Sequence, residues 1–306
     1  MTAAKRVITR PDPTMMRIII FGAGAMSCLF AARLAQVAQV TLIDEWKQAI
    51  DSIRERGILY EDSVCTRTAE VCAAHLGAPV SAVDLAIVLV KSWQTESIAQ
   101  FLVNYLTPGG LAISLQNGLG NVEKLGARAF PGATSQGATL LGPGHVKEGG
   151  TGTTHVVAPD WVVELLKSGG FDAYRCSPPE AQSLLWGKLC VNCAINPLTA
   201  LLRVCNGDLL KRPAAKDLMV RAAMECASVA RAKGICLPFA DPESHVEQIA
   251  EKTALNKSSM LQDILRGAPT ESDAINGAVV RAGSQAGVAT PVNAMLWQLM
   301  EAAVHP

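Results

Sequence analysis

Aromatic residues make up only 5% of the 306 positions, and charged residues reach 18% where about a quarter is usual. The 27 basic side chains are cancelled by 27 acidic ones. With no basic excess and few stacking platforms, the chain is not built to bind nucleic acid. Histidine is also sparse: His75, His145, His155, His245 and His305 are too scattered to form a metal site, and none is expected. Nine cysteines lack the density and regular spacing of a disulfide framework and read as reduced thiols of a cytoplasmic protein. Cys190 and Cys193 form a CxxC without a second pair or a thioredoxin-like context, so packing as small core residues is expected. Residues 1–16 carry two early positive charges but no apolar run, which predicts a disordered extension, or an upstream start ahead of Met15 and Met16, and not a signal peptide. The apolar stretch 184–202 is hydropathic enough to suggest a membrane span, but it contains Lys188, Asn192, Asn196 and Pro197, which lipid tolerates poorly, so no membrane association is expected. There is no internal repeat.

What is present is apolar material, 49% of the chain, in a length that suggests two domains. From 17 to 178, compact β-rich runs at 17–21, 40–43, 84–90 and 111–115 alternate with helical stretches at about 25–36, 46–56, 93–105 and 119–127. That alternation predicts an α/β domain with a parallel sheet buried on both faces. A hairpin is expected over 57–69, and the Gly-rich segment 132–158 is expected to add antiparallel strands that close the sheet. After Ser177-Pro178-Pro179 strand signals disappear, and 179–306 reads as an all-helical domain. Its helices are expected at about 180–195, 213–233, 242–254, 271–287 and 291–303, with breaks at Pro197, Pro213, Pro238 and Pro291.

Gly22-Ala23-Gly24-Ala25-Met26-Ser27 follows the first strand directly and opens an apolar helix. Such a loop turns tightly, brings backbone close to a pyrophosphate and presents a helix N-terminus to it, so Gly22 to Met26 are expected to bind a dinucleotide. Asp44 ends the second strand 22 residues after Gly22, where a carboxylate accepts hydrogen bonds from the adenosine ribose. Asp44 and Glu45 repel a 2′-phosphate and lean toward NAD, while Lys47 argues the other way. Lys91 and Asn117 follow two further strands at the edge where ligands bind in open α/β sheets.

Lys188, Asn192 and Asn196 are spaced i, i+4, i+8 and share one stripe of a helix that Pro197 is expected to end. Every other residue from Leu189 to Ile195 is apolar or Cys, so the stripe sits on a buried helix and needs partners. A desolvated lysine has a lowered pKa and makes a general acid near neutral pH. Downstream, Ser259 and Gln262 fit a capping box, and Thr270 with Glu271 fits an N-cap and a first-turn acid.

GAGAM (22–26), VKSWQT (90–95), QNGLGN (116–121), WGKLCVNCAINPLTAL (186–201), NGDL (206–209) and SSMLQDILRGAPTESDAINGAVV (258–280) resemble, in order and spacing, the ketopantoate (2-dehydropantoate) 2-reductases over residues 17–300. The resemblance implies reduction of 2-dehydropantoate to pantoate, in the route to pantothenate and coenzyme A, with NADPH as the usual cofactor. It places the catalytic lysine on Lys188 and an active-site glutamate on Glu271. The substrate-binding asparagines fall on Asn117, Asn192, Asn196 and Asn206, a carboxylate-binding serine on Ser259 or Ser258, and a cofactor-side lysine on Lys91. The chain departs from the family pattern at Ser27, at Ser272 and at the acidic pair Asp44-Glu45. A dehydrogenase of another 2-keto acid on the same scaffold, and a non-catalytic nucleotide sensor, are the alternatives. A homodimer through the apolar helical domain is a further expectation.

Overall fold

The computed structural model describes residues 16–304, so the expectation for the N-terminal extension falls, but for Met16, outside the described residues. The chain begins with β1 (Arg17–Phe21), α1 (Ala25–Leu34), β2 (Gln39–Asp44) and α2 (Lys47–Arg56). It continues with β3 (Ile58–Glu61), β4 (Thr66–Ala69), β5 (Cys72–His75), β6 (Val83–Val88), α3 (Thr95–Tyr105), β7 (Leu106–Ser114) and α4 (Asn121–Leu125). β8 (Ala129–Thr134), β9 (Gly137–Gly142), β10 (His145–Gly150), β11 (Thr153–Val156), α5 (Asp160–Ser168) and β12 (Asp172–Arg175) complete the strand-bearing half. Eight strands form one sheet in the order β12-β11-β8-β7-β6-β1-β2-β5, parallel from β8 to β5. β11 lies antiparallel to β8.

Alternation along β1 explains its run of apolar residues. Ile18 and Ile20 pack with Phe30, Ile50 and Leu166 on one face, while Ile19 and Phe21 pack with Ile98 and Leu102 on the other. β1 has β2 on one side and β6 on the other, the switch in strand order that opens a crevice at the carboxyl edge. Register aligns that edge: Phe21 pairs with both Ile43 and Val88, and Val88 with Ser114. The residues that follow these strands therefore emerge together.

Segment 132–158 departs from expectation. β8 and β11 extend the main sheet, but β9 and β10 leave it and join the β3–β4 hairpin in a separate sheet of order β4-β3-β10-β9. α5 and β12 were not anticipated.

The second half is helical: α6 (Pro178–Leu202), α7 (Pro213–Ala232), α8 (Pro242–Lys252), α9 (Ser259–Leu265), a π-helical turn (Asp273–Gly277), α10 (Ala278–Ala286) and α11 (Pro291–Val304). Pro213, Pro242 and Pro291 begin helices, where a missing N–H costs nothing. Pro197, by contrast, does not end α6, which continues to Leu202. A proline there frees the carbonyl four residues back, that of Cys193, and Asn276 Nδ2 donates to it at 2.9 Å. Asn276 lies on the π-helical turn, so the irregular turn repairs the irregular helix. α6 is the helix among the described residues that is long and apolar enough to cross a membrane, yet 67% of its most hydropathic window is buried inside the protein. Cys190 and Cys193 are buried on it, their thiols donating to the carbonyls of Ala223 and Ala222 on α7.

Candidate active site

The glycine loop sits at the end of β1. Gly22 has φ +119°, and a Cβ there would strike Ser27 Oγ at 2.3 Å, so this position needs glycine. Ser27 is fully buried against Gly22 and fills the place of a third glycine by being small. A Cβ on Gly24 would meet nothing within 4 Å, and among the described residues no side chain caps α1 and no acid stands in its first turn. An open backbone approach over uncapped helix N–H groups suits a pyrophosphate. Asp44 is buried and already engaged: Oδ2 accepts from Ala23 N at 2.6 Å and Oδ1 from Trp46 N at 2.8 Å. It braces the glycine loop as well as ending β2.

Across the crevice stands α6. Lys188 is partly buried, and its Nζ donates to the carbonyl of Thr134, at the end of β8, at 2.8 Å. Burial pushes its ammonium down to about 8, against the pull of the Glu271 carboxylate in the opposite direction. Asn192 and Asn196 lie one and two turns further along the stripe, Asn196 buried at 6% exposure. Among the described residues neither side-chain amide has a hydrogen-bond partner, although Asn196 is nearly enclosed.

Glu271, at 4% exposure, ties the two halves together. Oε1 accepts from Ser92 N at 3.1 Å, and Oε2 accepts from Lys91 Nζ and Asn117 Nδ2, each at 3.3 Å. Lys91 Nζ also donates to Asp263 Oδ2 on α9 at 2.7 Å. Burial alone would lower the Lys91 pKa, but Glu271 and Asp263 outweigh it and hold the group above its ordinary value. The Asp263 carboxyl is raised by its burial, with Lys91 opposing. By local pattern alone Glu271 reads as a first-turn acid, and by the family resemblance as an active-site glutamate; its carboxylate takes three donors from the sheet half. Beside it, Gly118, with φ +79°, lets the 116–120 loop press against Ala274, and Leu119 N donates to Ala274 O at 3.2 Å.

Lys91, Asn117 and Glu271 are thus in direct contact, and Lys188 is coupled to them electrostatically. Two expected residues, Asn206 and Ser259, make no hydrogen bond to that group among the described residues. Asn206 Nδ2 donates to Thr253 Oγ1 at 2.9 Å, and its Oδ1 is buried without a partner. Ser259 is not the cap of α9: Ser258 Oγ accepts from Leu261 N at 3.1 Å and from Thr199 Oγ1 at 2.7 Å, while Gln262 Nε2 donates to Lys257 O. The capping box fails because the cap lies one residue earlier, which leaves the Ser259 hydroxyl outside it.

Sequence reasoning missed Asp263, Ser92 and the Thr134 carbonyl. Asp263 was within reach, because it lies three residues after buried Met260 and so on the inward side of α9. The two backbone groups carry no side-chain signal. A cavity of about 950 Å³ opens behind the 116–120 loop, between Trp93, Gln116, Trp186 and Arg281, but Lys188, Asn117 and Glu271 do not line it.

Two family models cover nearly all of the chain: one described as ketopantoate reductase PanE/ApbA matches residues 18–161, and its C-terminal counterpart matches 180–304. A 2-dehydropantoate 2-reductase of Archaeoglobus fulgidus is 35% identical over 299 residues, covering 94% of this chain and 97% of that one. Among solved structures, D-mandelate dehydrogenase with NADH and anilino(oxo)acetate superposes with a TM-score of 0.88 at 30% identity, over 94% of this chain and 98% of the other. A PanE/ApbA family ketopantoate reductase from Ralstonia eutropha gives 0.87 at 30% identity with the same coverage. With both halves matched and a relative above 30% identity along its whole length, the chain belongs to the ketopantoate reductase family of oxidoreductases.

Proposed function

We propose that this cytoplasmic enzyme reduces 2-dehydropantoate to pantoate, with Lys188 as the proton donor. The observation that carries the reading is Lys188 itself, an ammonium brought to about 8 by burial on a stripe shared with the unpartnered amides of Asn192 and Asn196. Gly22 to Met26 suit the pyrophosphate of a nicotinamide dinucleotide, with Lys91 and Asn117 further along the same edge. That cofactor, when bound, supplies the hydride that reduces the ketone carbon. Lys188 hydrogen-bonds the ketone oxygen and gives up a proton from Nζ as negative charge builds there, combining electrostatic and general-acid roles. Asn192 and Asn196 hold substrate oxygens and Ser259 engages the carboxylate, while the part the family resemblance gives Asn206 in substrate binding has only its unpartnered Oδ1 in support. Glu271 keeps Lys188 charged enough to act while Asn117 and Ser92 hold its carboxylate still.

NADH is the cofactor this reading favours. Asp44 and Glu45 place negative charge where a 2′-phosphate would need a base, and the D-mandelate dehydrogenase relative was solved with NADH. That relative also bound anilino(oxo)acetate, which supports a second reading, reduction of a bulkier 2-keto acid. Steady-state assays of 2-dehydropantoate and aryl 2-keto acids, each with NADH and NADPH, separate these readings. The expected result is a kcat/KM for 2-dehydropantoate at least about tenfold above the aryl acids, with NADH preferred over NADPH. Faster turnover of an aryl acid establishes the second reading instead.

We also infer a homodimer through the helical half, where Met224 of α7 and Met295 and Leu299 of α11 stand exposed. Sedimentation should give the mass of two chains, and Met295→Glu should return it to one.

A further inference from the structure

Asp263 is a carboxylate with 3% exposure, and among the described residues no hydrogen bond or ion pair joins it to Lys188, Asn192 or Asn196. Burying a charge is costly unless it is paired, so its place needs a physical reason. Its partner is Lys91 Nζ at 2.7 Å, with Arg266 Nη2 more distant at 3.7 Å. The same Lys91 ammonium reaches Glu271 only at 3.3 Å. One cation from the sheet half is thus shared unequally by two buried carboxylates of the helical half. Glu271, the farther of the two, is the one whose field reaches Lys188.

We propose that Asp263 is a positioning residue: by drawing the Lys91 ammonium to itself it prevents full neutralisation of Glu271, and so preserves the negative field that keeps Lys188 protonated. The charged groups around this network are Lys91 from the loop after β6, Asp263 and Arg266 from α9 and its end, and Glu271 before the π-helical turn. Lys188 faces Glu271 and the neutral Thr134 carbonyl. Signs follow directly. Removing the Asp263 charge releases Lys91 toward Glu271, and both changes favour the neutral form of Lys188. Removing the Lys91 charge exposes Glu271 and favours the ammonium.

The inference rests on Lys188 as proton donor only for its kinetic consequence, so the test reads the titration of Lys188 directly. Competitive labelling of the full chain with acetic anhydride across pH, followed by mass spectrometry, reports the protonation of Lys188 without turnover. Asp263→Asn is expected to move that titration down by about one unit, Asp263→Glu to restore most of it, and Lys91→Gln to move it up. In the Lys91→Gln background, Asp263→Asn should have less than half its effect, because it acts through Lys91. The alkaline limb of kcat should follow the labelling curve. A titration unmoved in folded Asp263→Asn, or an undiminished effect in the Lys91→Gln background, overturns the inference. If Asp263→Asn does not fold, Lys91→Gln still decides, since a titration that stays or falls is incompatible with shielding of Glu271. Full turnover in Lys188→Ala would instead remove the proton-donor reading and leave the labelling result standing on its own.

Discussion

Lys188→Ala should lower kcat by about 10²- to 10⁴-fold while leaving dinucleotide affinity within about twofold, because the lost group acts on the ketone oxygen and not on the cofactor. The expectation comes from where burial leaves the ammonium. At about 8, Lys188 is still mostly protonated at neutral pH, yet it gives up its proton more readily than an exposed lysine. Its working form is the protonated one, so kcat should hold below that value and fall as pH rises through it. In the alanine variant the alkaline limb should vanish along with the activity. Rapid-mixing measurement of the chemical step across pH, with NADH binding followed by fluorescence, checks both statements. Near-normal turnover in Lys188→Ala would remove this residue from the mechanism.

Gly118→Ala should be the most damaging single methyl addition near the site. The added Cβ would lie 2.3 Å from the Ala274 carbonyl oxygen and 2.8 Å from its carbon, with backbone on both sides, and the φ of +79° already disfavours any side chain. The conformational penalty and the overpacking together predict a loss of about 2 to 4 kcal/mol in stability. The loop must also shift, carrying Asn117 away from Glu271, and displacement on the scale of an ångström should cost about 10² in kcat/KM. Gly120→Ala is the control. It has a similar φ of +86° but nothing within 4 Å of the added carbon, so it should cost only about 1 to 2 kcal/mol and leave kcat/KM near normal. Denaturant unfolding and steady-state kinetics on the two variants separate the close approach from the backbone preference. Equal kinetic losses in both would mean that the contact with Ala274 does not position Asn117.

Much of the fold was readable because its signals are local. The apolar runs of β1 and β6, the Gly22 turn and the Lys188-Asn192-Asn196 stripe all follow from neighbours within a few residues, and the periodicities of strand and helix turn such spacing into geometry. The errors arose where distant residues intervene. Proline is a helix breaker by local rule, but Pro197 sits inside α6 because Asn276, far along the chain, takes up the carbonyl it frees. Strands β9 and β10 have the composition of sheet-closing strands, but they pair with β3 and with each other because that hairpin offers them an edge. Ser259 and Ser258 are equivalent by composition, and only the hydroxyl of Thr199 beside Ser258 identifies the cap.

Sequence alone therefore determined the strand–helix alternation through β7, the helical character of the second half, the dinucleotide loop and the residue types available for proton donation and substrate binding. Each depends on short-range pattern or on side-chain chemistry that does not change with context. Tertiary structure decided which of those groups face one another and in what ionisation state. Glu271 became a bridge and not a first-turn acid because Lys91, Ser92 and Asn117 converge on it from the sheet edge, the lysine from 180 positions away. Asp44 became a brace for the glycine loop because Ala23 and Trp46 present both of their N–H groups to it. Lys188 acquired its pKa of about 8 only through burial between the two halves of the chain, set against the field of Glu271. Desolvation and Coulomb coupling depend on distances across the packed interior, and sequence spacing does not encode those distances.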